Sequence, residues 1–127
     1  MSLPTNIIKD KYNSHKPLLI IEKFEKYVNY VYPILQNIPR THGIFKEESI
    51  RQLFHFVDLI NEATKSNQIS KLYLADACLA SIRYKLRFMV FGKRKIITQH
   101  QQEVCLAQLA EVGGIINAWI KNHKVVK

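Results

Sequence analysis

The chain has 127 residues, 47% of them hydrophobic and 23% charged, with only four glycines and four prolines. That composition excludes a disordered chain, allows one domain large enough to bury a real core, and leaves little turn material for a β-sandwich. The formal net charge is +9 and it is a block: residues 1–76 hold ten basic and eight acidic side chains, whereas residues 77–127 hold nine basic ones against Glu103 and Glu111 alone.

No acid falls between Asp76 and Glu103, a window that carries Arg83, Lys85, Arg87, Lys93, Arg94 and Lys95. A positive field gathered on one part of a small protein attracts polyanions and steers their encounter, so nucleic acid is the first partner expected. Cys78 and Cys105 lie inside apolar helical patterns and read as buried thiols of a reducing compartment. No apolar run approaches the ~20 residues of a membrane span, and the polar start Met1–Lys16 is no secretory signal. A soluble, cytoplasmic protein is expected.

In chain order, the first predicted helix is Leu18–Ile38, with Ile20, Phe24, Tyr27, Val31, Leu35 and Ile38 on one stripe. Pro33 falls on its polar side, where a bend convex toward solvent is tolerated. Pro39-Arg40-Thr41-His42-Gly43 turns the chain. Lys46–Thr64 is the second helix, with Glu47 and Glu48 in its first turn and Ile50, Leu53, Val57 and Ile60 as its stripe. Phe54 broadens that stripe, while Phe56 and Leu59 begin another.

Lys65-Ser66-Asn67 is a turn, with Ser66 or Asn67 as N-cap of the third helix, Gln68–Phe91. In that helix Leu72, Ala75, Leu79, Ile82, Leu86 and Met89 alternate steps of three and four, the seam of a bundle. Gly92 and Lys93-Arg94-Lys95 end it; Thr98 caps the fourth helix, Gln99–Asn122, whose stripe is Cys105, Leu109, Val112, Ile116 and Trp119. Long helices joined by short turns predict a single-domain, all-α, antiparallel up-down-up-down four-helix bundle over about 18–122, with short polar tails. Several helices are apolar over more than one stripe, so a second buried surface and self-association are expected.

The patterns that would carry catalysis are missing. None of the ten acidic residues is followed three positions later by His, as a di-iron bundle needs, and His-Glu-x-x-His, Walker, Gly-x-Gly-x-x-Gly and Gly-x-Ser-x-Gly patterns are also absent. The reading is therefore of a non-enzyme with no metal and no cofactor. Attention falls on Arg83 and Arg87, four apart on the third helix and flanking its apolar seam. They could pair with Asp76, line a subunit interface or grip phosphates with a planar fork. Tyr84, Phe88 and Phe91 are interleaved with them and could stack on bases, although core packing is their commoner use. Gly113-Gly114 inside the fourth helix costs up to ~1 kcal/mol per glycine, which close backbone approach or a locally loose helix would account for.

Three stretches resemble a known family: Ile21-Glu22-Lys23-Phe24-Glu25-Lys26 through Tyr32-Pro33-Ile34 to Ile38-Pro39-Arg40-Thr41-His42-Gly43; Lys65-Ser66-Asn67-Gln68-Ile69-Ser70-Lys71-Leu72-Tyr73 through Ala75-Asp76-Ala77 to Arg83-Tyr84-Lys85-Leu86-Arg87-Phe88; and Ala110-Glu111-Val112-Gly113 to Trp119-Ile120. They are similar to the accessory variability determinant proteins of diversity-generating retroelements. The resemblance implies a homopentameric barrel of four-helix bundles with a positive surface, encoded in a bacterium, phage or prophage. It also implies a non-catalytic partner of the retroelement reverse transcriptase that binds RNA or DNA and supports mutagenic retrohoming. By that resemblance Arg83 and Arg87 carry the binding role, with Arg40 and Lys71 as further basic positions; Lys93, Arg94 and Lys95 are supported by charge alone. The alternatives are a bundle of the ribosomal RNA intervening-sequence type, a purely structural oligomer, and a small-ligand or metal bundle.

Overall fold

The computed structural model describes residues 4–91 and 94–126, with side chains from 16 to 123 within that range. The described residues form four α-helices and one short 3-10 turn, with no strand: α1 is Pro4–Gln36, the 3-10 turn Arg40–His42, α2 Gly43–Ser66, α3 Ile69–Val90 and α4 Gln99–Val126. Each helix packs on its neighbours in sequence and α1 closes the ring on α4, so α1 and α3 stand diagonally across the bundle.

One core runs through all four helices. It holds Ile20, Phe24, Tyr27, Val31 and Leu35 from α1, the predicted seam of α3, and Cys105, Leu109, Val112 and Ile116 from α4. Phe24 is the hinge of the aromatic packing, with ring centroids 4.4 Å from Phe56 and 5.6 Å from Tyr27. Burial raises the Tyr27 phenol well above its ordinary range. Cys78 and Cys105 are free buried thiols, and burial pushes each up to about 11.

Several expectations are corrected. The first helix begins at Pro4, so the expected tail is helical, and α4 continues to Val126. Residues 4–16 lack an apolar stripe, but a helix nucleated elsewhere propagates one hydrogen bond per residue, and Pro4 sits where no N–H is needed. Gly43 opens α2 instead of only turning the chain, so no acid lies in the first turn of α2. The core line of α2 is Ser49, Leu53, Phe56, Ile60 and Ala63, while Ile50 and Val57 are half-buried and Phe54 is 54% exposed. The reason is that α2 touches α1 and α3 at once and turns the bisector of the two inward. Ser49 tolerates burial because its hydroxyl donates to the Phe45 carbonyl at 2.7 Å.

The cap of α3 is also different. Asn67 is the left-handed C-cap of α2, with φ 55, and Gln68 is the N-cap residue of α3 without a side-chain cap bond. The Ser66 hydroxyl donates to the Glu62 carbonyl and accepts from the Gln68 amide. Thr98 does cap α4, and reciprocally: the Gln101 amide donates to Thr98 Oγ1 at 3.0 Å, and the Thr98 amide to Gln101 Oε1 at 2.9 Å. At the far end of the stripe on α4, Ile120 is buried and Trp119 only half-buried. Contrary to expectation, α4 from Gln99 to His123 is long and apolar enough to cross a membrane by length and composition. Here its main apolar stripe is buried against α1 and α3, as a bundle helix requires.

Candidate nucleic-acid interface

The antiparallel order places the α1–α2 and α3–α4 connections at one end of the bundle and the α2–α3 turn at the other. The contact of α4 with that turn shows it: the His123 Nε2–H donates to the Asn67 carbonyl at 3.2 Å. The sequence-predicted basic residues therefore divide. Arg40 stands in the 3-10 turn, Arg87 in the last turn of α3, and Arg94 and Lys95 just beyond it, all at the connection end. Lys71 opens α3 at the opposite end, where it is 3.2 Å from Glu62. Lys93 lies outside the described residues.

Arg83 occupies neither end. It is half-buried at the α3–α4 seam, and its guanidinium fills the space a side chain on Gly113 would need: a Cβ there would stand 2.6 Å from Arg83 Nη2 and 3.5 Å from Leu79 Cδ2. This accounts for one of the two helical glycines. Gly114, its neighbour, faces open space and is exposed. Among the described residues Arg83 and Arg87 make no ion pair, so the possible link to Asp76 is not formed. Lys85 turns toward α2, where its ammonium donates to Gln52 Oε1 at 2.7 Å, and it also donates to Ser81 Oγ, one turn earlier on α3, at 3.2 Å.

Arg94 is held in place. Its guanidinium lies 3.9 Å over the Phe88 ring, its Nε–H donates to the Phe88 carbonyl at 2.9 Å, and Phe88 in turn packs on Phe45 with centroids 4.8 Å apart. The loop is pinned to the end of α3, since the Ile96 and Ile97 amides both donate to the Met89 carbonyl. Lys95 reverses the chain there with φ 40, a left-handed backbone that costs ~1 kcal/mol for a residue with a side chain. Cations at the end of α3 are favoured by its carbonyl-rich terminus, which needs partners in any case.

The aromatic expectation is corrected. Tyr84 is 65% and Phe91 74% exposed, so these two rings are not core, and only Phe88 packs inward. Sequence reading missed Phe45 as the support of this corner. Its contact with Phe88 joins α2 to α3, and helical periodicity carries no signal for a contact between helices. Among the described residues no three of His, Cys, Asp and Glu gather as a metal set. What the corner offers chemically is four exposed cations, Arg40, Arg87, Arg94 and Lys95, of which Arg94 is held in one orientation, with Glu47, Glu48 and Glu103 in the opening turns of the adjoining helices.

A comparison with curated proteins gives no match. A model of the family described as bAvd-like matches residues 18–123, nearly the whole bundle and all the basic positions named above. On that match the chain belongs to the bAvd-like family, the accessory variability determinants of diversity-generating retroelements.

Proposed function

We propose that the protein is a non-catalytic accessory subunit of a diversity-generating retroelement. In this reading it assembles as a homopentamer, binds the reverse transcriptase together with template RNA or cDNA through its basic surface, and so supports mutagenic retrohoming. The observation that carries the reading is the connection end of the bundle, where Arg40, Arg87, Arg94 and Lys95 are exposed; the stretch from residue 77 to residue 102, which supplies three of them, holds no acid. Such a surface binds phosphates by releasing counterions, and arginine adds bidentate geometry. Assembly is supported by apolar surface left uncovered on the single chain, including Leu18, Ile44 and Phe54 and the shallow groove between α1 and α4, where Leu19, Ala110, Gly114, Ile115 and Ala118 are joined by Lys16 and the Lys23–Glu111 ion pair.

The test is affinity purification of the tagged protein from its native cell, with mass spectrometry of what accompanies it. Reverse transcriptase in amounts comparable to the bait is expected; ribosomal proteins in its place overturn the retroelement role. On purified components, RNA affinity is expected to fall steeply with salt. Arg83→Ala with Arg87→Ala should weaken binding of polymerase or nucleic acid while the helical circular dichroism is kept. Unchanged binding of both partners by the double variant removes the two arginines from the site.

A further inference from the structure

Resting on that reading, we infer that the nucleic acid held at the connection end is single-stranded and is gripped by base stacking as well as by charge. The argument starts from α3. Tyr84 and Arg87 are three apart on one face of α3, Phe91 is the cap residue that follows the helix four positions after Arg87, and all three are exposed. Tyr84 stands about two turns before the end of α3, so the run from Tyr84 to Phe91 leads from the flank of the helix to the connection end over about 10 Å, the length of a few nucleotides.

Two large rings on either side of an arginine, Tyr84 65% and Phe91 74% exposed, are left mostly in water and contribute little to the core. Single strands are bound in this manner, with aromatic faces taking bases and cations tracking the phosphates between them. Arg94 adds a third planar group at the same corner. Its stacking on Phe88 and its bond to the Phe88 carbonyl hold the guanidinium in one orientation, while the residue itself stays exposed. Guanidinium planes also accept unstacked bases. A duplex could use only the cations, because its base faces are already stacked on one another, and the two rings would then be left facing its backbone.

The test uses the full-length assembled protein and two probes: a fluorescent unstructured oligoribonucleotide of about twenty mixed A and C residues, and the same sequence annealed to its complement. Anisotropy at near-physiological salt is expected to show the single strand bound at least tenfold tighter. Phe91→Leu and Tyr84→Leu, which keep apolar bulk without a ring, should each weaken the single strand about fivefold or more and leave the duplex unchanged. Phe91→Trp should retain binding, with the introduced indole quenched by the bases. Equal affinity for the two probes, or leucine variants that bind the single strand like the wild type, overturns base stacking while nucleic-acid binding stands. Saturable binding of neither probe removes the nucleic-acid role as well. A changed subunit number for the leucine variants by light scattering assigns the rings to a subunit interface and also overturns the inference.

Discussion

At the end of the bundle where α2 turns into α3, Lys71 sits 3.2 Å from Glu62, and the His123 ring seats on the Asn67 carbonyl. At the opposite end Arg87, Arg94 and Lys95 stand exposed, and Arg94 is stacked on an aromatic ring instead of an acid. Both ends are basic in the sequence. They differ in the partners of their cations: Lys71 faces a carboxylate, whereas Arg94 is held by a carbonyl and a ring with no acid within ion-pair distance among the described residues. Arg83 is a third case, a half-buried cation whose position depends on the missing side chain of Gly113.

The comparison can be broken most strongly at the aromatic core that both ends share. Phe56→Ala empties a fully buried ring site and is expected to lower stability by roughly 3–5 kcal/mol, with both ends lost in one urea transition. Phe88→Ala acts on one end. Its ring is half-buried, so the loss should be smaller, roughly 2 kcal/mol, and Arg94 loses its seat. Hydrogen exchange is expected to rise first in the residues around Ile96 and Ile97.

The glycine pair sharpens the contrast between Arg83 and its surroundings. Gly114→Ala meets open space in a helix and should stabilise by up to ~1 kcal/mol. Gly113→Ala offers the same propensity gain but drives a Cβ against Arg83 Nη2, so the guanidinium must swing away. Its stability is expected to stay near that of the wild type while the Arg83-dependent part of binding changes. Equal stabilisation by the two substitutions contradicts the seat assigned to Arg83. Thr98→Ala removes one half of the reciprocal cap on α4 and should cost ~1 kcal/mol by chemical denaturation. The smallest effect belongs to the opposite end: Lys71→Ala breaks a partly exposed ion pair, costing under ~1 kcal/mol, and should leave nucleic-acid affinity near that of the wild type.

Helix number, the α3 seam and the cap of α4 were legible in the sequence because each is a local pattern. Periodicity places Leu72, Ala75, Leu79, Ile82, Leu86 and Met89 on one face whatever they touch, and Thr98 with Gln101 carries its cap within three residues. The acid-free window was legible too, since it is a count, and Arg83 and Arg87 drew notice by their four-residue spacing beside the α3 seam before the family resemblance gave them a role. Other features depended on packing between helices. Which stripe of α2 is buried follows from the direction of two neighbours at once, and so Phe56 is core while Phe54 is not. That Tyr84 and Phe91 face water, that Lys71 is paired, and that Gly113 exists for Arg83 are relations between helices. Amino-acid order alone determined a bundle with a positive half; tertiary structure decided which of its cations face an acid, a ring or water, because that is set by what lies opposite a side chain and not by its place in the chain.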